Sequence, residues 1–146
     1  MLGLGLLTLR LIVGFGFIAH GLPKLVPVWD GSPSATAVPL ASAGLGWPYL
    51  VTVGAGLAET LGGLLLVAGA YTPWAALVLA APTAAIGAVL YLPHGYFLNW
   101  SLDPETNHGY EFHLLRIATL VCLMMAGPGT IAYDARRKSV VHPPPS

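Results

Sequence analysis

Long apolar runs separated by short polar segments are the dominant pattern in this chain. A helix needs about 20 predominantly apolar residues to cross the hydrocarbon core of a bilayer. Four windows meet that requirement, at about 2–22, 47–70, 73–92 and 110–130. The pattern therefore predicts an all-α integral membrane protein with four spans.

The connections between these windows predict how the spans are arranged. Helices joined by short turns pack as antiparallel neighbours, so an up-down four-helix bundle over residues 1–134 is the predicted architecture. Residues 135–146 are rich in proline and are predicted to form a disordered tail. Close helix packing is predicted at glycines within the spans, because small residues let membrane helices approach each other. These glycines are Gly14, Gly16, Gly54, Gly56, Gly62 and Gly63.

Composition supports the membrane assignment and narrows the partners. Hydrophobic residues make up 55% of the chain and charged residues only 8%, against about 25% charged in soluble domains. The formal net charge is zero, so nothing favours binding to nucleic acid. The lipid bilayer is the predicted partner.

The positions of the cations predict an orientation. Arg136, Arg137 and Lys138 follow the fourth window, and cytoplasmic flanks of membrane spans carry an excess of Lys and Arg. Both termini are then cytoplasmic, because the number of spans is even. The segments 26–46 and 93–109, which include Asp103 and Glu105, would lie on the outer side. Lys24, a cation at the outer end of the first span, argues against this orientation.

Ionisable residues inside the spans predict internal contacts. A charge in the bilayer costs at least about 2.5–3.5 kcal/mol unless a partner relieves it. Glu59 lies at a depth similar to that of Arg10, and Arg116 is the other available cation. The sequence leaves open which arginine pairs with Glu59, and whether the pair only joins helices or also lines a site.

Polar residues at the outer helix ends predict a shared cluster. At 100° per residue, Arg10, Phe17 and Lys24 lie on one stripe of the first helix, with His20 beside it. His113 and Arg116 are neighbours on the fourth helix. Polar side chains at interface level are also common without any function. The candidate site residues are Arg10, Phe17, His20, Lys24, Glu59, His94, Glu111, His113 and Arg116.

The chemistry of this cluster favours a quinone. No tightly spaced metal-binding motif occurs, so no metal site is predicted. Cys122 is the single cysteine, which excludes a disulfide within the chain. A histidine that titrates near neutral pH, a cation and an aromatic face suit a ligand that has an apolar ring and accepts hydrogen bonds and protons. A quinone is the one candidate cofactor this reasoning offers.

Several motifs together resemble one family. The segments are RLIVGFGFIAHGLPKL (10–25), AGLAETLGGLLLVAGAYT (55–72), HGYFLNW (94–100), GYEFHLLR (109–116) and GPGT (127–130). In combination they resemble the DoxX family of small bacterial membrane proteins, over about residues 8–134. The resemblance implies a multi-pass inner-membrane protein with four helices that serves as an oxidoreductase subunit. Its better-known relatives belong to thiosulfate:quinone oxidoreductase or to a membrane redox complex with partner proteins. The motif residues carried over are Arg10, His20, Lys24, Glu59, His94 and Glu111.

The leading hypothesis is a membrane subunit associated with redox chemistry, whose polar pocket takes a quinone or a small sulfur-containing substrate. Arg10 and Glu59 would shape the floor of this pocket. Glu59, His94 and His20 would exchange protons, while the remaining candidates would bind substrate. A non-catalytic anchor for a partner protein and a small transporter formed by a homo-oligomer stay open as alternatives. No redox cofactor motif occurs in the chain, so a redox partner protein is expected.

Overall fold

The protein, described here by a computed structural model, is defined over residues 1–102 and 106–141. All regular structure in these ranges is helical. The helices are α1 (Leu2–Gly21), α2 (Pro33–Ser42), α3 (Pro48–Ala68), α4 (Thr72–Ile86), α5 (Glu111–Ala126) and α6 (Tyr133–Val141).

Three helical segments are long and apolar enough to cross a membrane: Leu2–Lys24, Pro48–Ala68 and Thr72–His94. They coincide with the first three predicted windows. The fourth window contains α5, which at 16 residues is shorter than the roughly 20 residues that a perpendicular span needs. The prediction of apolar membrane helices is confirmed, whereas four spans and cytoplasmic termini stay predictions.

Helix α3 is central to the packing. It packs against α1 on one side and α4 on another, and α4 also packs against α5. The apolar core between these helices is formed by Leu6, Phe17, Leu66, Ala75, Ala76, Leu79, Leu120 and Leu123. The buried stripe of α1 consists of Leu6, Arg10, Gly14, Phe17 and Gly21, as the helical phase predicts.

Glycines bring the backbones of α1 and α3 into direct contact. A Cβ atom placed on Gly14 would lie 2.8 Å from the carbonyl oxygen of Gly63, and one on Gly21 would lie 2.9 Å from that of Gly56. The packing role predicted for the glycines is wrong for Gly16 and Gly54, since a Cβ atom on either would have no neighbour within 4 Å. Their helix faces point away from the rest of the chain.

Helix α4 changes geometry before it ends. The α-helix continues through Pro82 to Ile86, followed by a wider π-helical turn at Gly87–Tyr91 and a 3-10 turn at Leu92–His94. Pro82, which removes a backbone donor from the helix, thus precedes the change in geometry at Gly87. A π-helical turn holds an additional residue and rotates the following side chains around the helix axis.

The segment 26–46, predicted as a loop, contains α2. Ser32 caps this helix by accepting a hydrogen bond from the backbone N–H of Ala35 at 3.2 Å, the usual role of an N-cap serine. Proline at the first position suits a helix start, and Ala37 and Leu40 are buried where α2 packs against α3. The apolar windows did not predict α2, because its ten residues are too few to span a bilayer.

The end of the chain folds back onto the turn between α3 and α4. The carboxylate of Asp134 accepts hydrogen bonds from the backbone N–H groups of Tyr71 (3.0 Å) and Thr72 (3.3 Å). Arg137 donates to the Tyr71 hydroxyl at 3.2 Å. The predicted disordered tail therefore differs from the structure over 135–141, which belong to α6; residues 142–146, with His142, lie outside the described ranges.

Replacing Asp134 with alanine is expected to lower stability by about 1 kcal/mol, the typical loss when a capping side chain is removed. The backbone N–H groups of Tyr71 and Thr72 would each lose the carboxylate oxygen that accepts their hydrogen bond. Thermal unfolding of the purified protein in detergent measures the loss. Asn107→Ala is the control, because Asn107 is exposed and has an ordinary backbone conformation; an equal drop for both variants would contradict the capping role.

Candidate functional site

A cavity of about 430 Å³ opens at one end of the packed helices. His20, the start of α3 and the start of α5 all lie at this end. This volume lies in the range of roughly 300–1,000 Å³ that is typical of small-molecule sites. Its polar lining residues are His20, Lys24, Thr36, Thr52, Glu59, Thr83, Tyr91, His108, His113 and Arg116. Its apolar lining residues are Pro39, Leu40, Ala55, Ile86, Leu90, Leu98 and Phe112. The cavity is thus amphipathic.

An ion pair between Lys24 and Glu59 occupies one wall of the cavity. Lys24 follows α1 in a 3-10 turn, and Glu59 lies in the middle of α3. The Glu59 side chain is only 4% exposed and that of Lys24 18%. A buried carboxylate needs such a partner, because an isolated charge would lose its hydration without compensation.

Arg116 forms the neighbouring wall without a carboxylate of its own. Its guanidinium carbon lies 3.9 Å from the centre of the Phe17 ring and 5.3 Å from that of Phe112, within the range of cation–π attraction. Its Nη2 atom is buried and has no hydrogen-bond partner among the described residues. Glu59 attracts Arg116 at longer range, so a single carboxylate serves two cations.

The π-helical turn after α4 brings Tyr91 against His113. The two ring centres are 4.2 Å apart and the rings are inclined by 33°. Gly87 permits this contact, since a Cβ atom there would lie 3.1 Å from the Cβ of His113. The Nδ1 atom of His113 is buried, and no described residue hydrogen-bonds to it. Both rings face the same cavity, one from each helix.

Exposed lining residues mark the mouth of the cavity. His20, Pro39, His108 and Phe112 are exposed, and the His20 and Phe112 ring centres are 6.2 Å apart. Thr52, Thr83 and Glu59 are buried at 1–3% exposure and form the interior. The hydroxyl of Thr83 donates to the Leu79 carbonyl at 2.8 Å, whereas the Thr52 hydroxyl has no partner in the described part of the chain.

The segment that precedes α5 is fastened to the loop after His94. Backbone N–H groups of Gly109, Tyr110 and Glu111 donate to carbonyls of the facing stretch of chain at 2.9–3.0 Å. The Glu111 carboxylate accepts from the Leu98 N–H at 3.3 Å. His108 is held in place because its Nδ1 accepts from the Asn99 N–H at 3.2 Å.

Five of the nine candidate residues line the cavity together: His20, Lys24, Glu59, His113 and Arg116. Glu59 pairs with neither arginine that the sequence offered, since its contact is Lys24. Phe17 is fully buried and lies beneath Arg116, outside the lining. The described residues contain no group of three or more His, Cys, Asp or Glu side chains arranged to hold a metal ion.

The prediction that Arg10 shapes the floor of the pocket is wrong. Arg10 is 1% exposed and donates to the Ile131 carbonyl, at the opposite end of α1 from His20. Ten residues of helix separate the two, about 15 Å. Its guanidinium fits against Gly69, where any Cβ atom would overlap Nη1. Arg10 therefore contacts the chain after α5 and lies outside the lining of the cavity.

His94 and Glu111 also lie outside the cavity lining. His94 ends the 3-10 turn and is exposed, because the π-helical turn has already rotated Leu90 and Tyr91 into the cavity. Glu111 holds the neighbouring loop. The roles predicted for these two residues do not match their positions.

Sequence reasoning missed Thr36, Thr52, Tyr91 and His108 as cavity residues. Thr52 lies seven residues before Glu59, two helical turns along the same face of α3, so helical phase could have found it. Tyr91 depends on a π-helical turn and His108 on a loop conformation. Neither has a recognisable sequence signal.

The comparison with protein families supplies the last observation. The DoxX family model matches residues 5–94, which is more than half of the chain. The protein belongs to the DoxX family. Searches of curated proteins and of solved structures found no match.

The DoxX match covers only part of the cavity. It includes α1 to α4 with His20, Lys24 and Glu59, and ends at His94. His108, His113 and Arg116 lie beyond it. The ion pair therefore belongs to the part of the chain matched by the family model, while the unpaired arginine and the stacked histidine come from the segment after it.

Proposed function

We propose that this DoxX protein is a multi-pass subunit of the bacterial inner membrane, associated with redox chemistry, whose cavity binds a quinone. It would act beside a redox partner protein. One observation carries the proposal: the cavity is amphipathic and is lined by Arg116, which has no carboxylate partner among the described residues.

A guanidinium without a carboxylate partner favours a ligand that brings hydrogen-bond acceptors. Leaving such a group unsatisfied costs about 1–3 kcal/mol, so buried polar groups normally find a partner. Arg116 can only donate, and the Thr52 hydroxyl can donate as well. Two ring carbonyls of a quinone supply acceptors of this kind.

The apolar part of the lining favours a ring over a small inorganic molecule. Leu40, Ile86, Leu90 and Phe112 surround the space next to Arg116. A small sulfur-containing substrate would contact only the polar groups, leaving these side chains without a partner. A quinone ring would bury apolar surface against them, which is favourable at about 25 cal/mol per Å².

The arrangement of the core does not favour transport through one chain. The polar lining ends at Glu59 and Thr83, and beyond it the apolar cluster of Phe17, Leu66 and Leu79 fills the interior. A purely anchoring role is not favoured either, because an anchor gains nothing from a guanidinium without a carboxylate partner in the lining of a cavity.

Binding of menadione, a quinone without a tail, tests the proposal. Wild-type protein in nanodiscs is titrated by equilibrium dialysis, and Arg116→Gln is expected to bind roughly 10-fold or more weakly. A hydrogen bond from a charged donor contributes about 1.5–3 kcal/mol, and about 1.4 kcal/mol corresponds to a factor of ten.

Two further variants make this test specific. Thr52→Val preserves shape and removes only the hydroxyl, so it should also weaken binding. Arg137→Gln at the opposite end of the molecule should leave binding unchanged. An absence of menadione binding to wild type, or equal binding by wild type and Arg116→Gln, would refute the proposal.

A further inference from the structure

The charges around the cavity do not balance. Lys24, Glu59 and Arg116 are its charged lining residues, and its histidines are neutral in the formal count. Among the described residues Glu59 is the only carboxylate in the lining, and Lys24 contacts it directly. One positive charge on Arg116 is therefore left without a paired anion among the described residues.

The surroundings of Arg116 strengthen its attraction for an anion. Phe17 and Phe112 pack against its guanidinium, and neither ring supplies a hydrogen-bond acceptor for the N–H groups in the guanidinium plane. Nη2 is shielded from water and from the cavity, so an anion would meet the part of the side chain that lines the cavity. Attraction between charges grows as the surroundings become less polar than water, so an anion at this position would be held more strongly than one on the surface.

We infer that the cavity selects a planar organic anion, such as a quinone ionised on a ring hydroxyl, over a neutral quinone of the same size. This inference rests on the proposed function and names the ligand class within it. Arg116 binds the ionised oxygen, because a hydrogen bond between a charged donor and an anionic acceptor is roughly twice as strong as one between neutral groups. The Phe112 and Leu90 side chains contact the ring.

Because of the apolar wall, a bare inorganic anion should bind more weakly than a planar organic anion. Sulfate would satisfy Arg116 but would leave Ile86, Leu90 and Phe112 unpaired, and it would lose more hydration than an anion whose charge is spread over a ring. Charge selects for the anion and the wall selects for the ring, so both properties are required.

Two probes of nearly equal size separate charge from shape. Lawsone, 2-hydroxy-1,4-naphthoquinone, is ionised at neutral pH, whereas menadione, 2-methyl-1,4-naphthoquinone, is neutral. Wild-type protein in zwitterionic nanodiscs should bind lawsone at least about 5-fold more tightly than menadione, as expected for an anion paired with a poorly hydrated cation. Each preparation is measured with both probes, so the ratio does not depend on the fraction of folded protein.

Substitutions test whether Arg116 produces the preference for lawsone over menadione. Arg116→Gln should bring the lawsone-to-menadione ratio close to one, and Arg116→Lys, which keeps the charge, should retain part of it. Thr52→Val should weaken both probes and leave the ratio unchanged. Excess sodium sulfate, against sodium chloride of equal ionic strength, should not displace lawsone.

The outcomes distinguish this inference from the proposed function. Equal binding of the two probes to wild type, or an unchanged ratio in Arg116→Gln, overturns the anion preference while quinone binding stands. Displacement by sulfate overturns the requirement for a ring. Failure of menadione to bind wild type removes the proposed function itself.

Discussion

Glu59→Gln is expected to destabilise the protein by about 3 kcal/mol, because it leaves the Lys24 ammonium without its carboxylate in the interior. Removing one partner of a buried ion pair costs about 3–5 kcal/mol. The lower end applies here, since the Lys24 side chain is 18% exposed and keeps part of its hydration. The midpoint of thermal unfolding in detergent should fall clearly below that of the wild type.

The double variant Glu59→Gln/Lys24→Met separates loss of the pair from general damage. It removes both charges and should regain most of the lost stability, because replacing both members of a buried pair is often neutral. Glu111→Gln is the control, because its carboxylate accepts one long hydrogen bond from the described residues, at 3.3 Å from the Leu98 N–H, and glutamine can also accept it. The ion-pair explanation fails if the double variant is less stable than Glu59→Gln alone.

Gly63→Ala is expected to cost about 1–2 kcal/mol, although alanine favours helices more than glycine does. The new Cβ atom would lie 2.6 Å from the Gly14 carbonyl oxygen and 2.9 Å from a side-chain carbon of Ile18. A backbone atom cannot rotate away, so α1 and α3 must separate. Overpacking of this kind costs about 1–3 kcal/mol, of which the helix propensity of alanine offsets up to about 1 kcal/mol.

Gly54→Ala is the matched control on the same helix. No atom lies within 4 Å of a Cβ placed there, so the substitution should leave stability unchanged or raise it slightly. Both variants are compared by thermal unfolding in the same detergent. A loss of stability in Gly54→Ala equal to that in Gly63→Ala would show that the backbone contact between α1 and α3 is not what the glycine preserves.

The membrane helices could be predicted because hydrophobicity is a local property that repeats along the chain. The first three windows coincide with helices, and the buried stripe of α1 follows from residue spacing alone. Helix α2 could not be found in the same way, since it is too short to span a bilayer. The two glycines that face away, Gly16 and Gly54, have the same sequence surroundings as those that pack.

Candidate site residues could be predicted where the helical phase puts a side chain on the inward face of its helix and its depth matches that of a partner. Lys24, Glu59, His113 and Arg116 meet because each lies on the inward face of its helix. The partner of Glu59 was not predictable: the sequence left Arg10 and Arg116 open, yet Lys24 reaches the carboxylate from the end of the 3-10 turn that follows α1.

By itself the sequence determined that this chain forms apolar helices and that the ionisable side chains within them need internal partners, because both follow from the cost of placing polar groups in hydrocarbon. Only the tertiary structure decided which partners they find. The π-helical turn rotates Tyr91 into the cavity and His94 out of it, and the α1–α3 backbone contact brings Lys24 to Glu59. These outcomes depend on angles and distances between distant segments, which no local pattern of residues specifies.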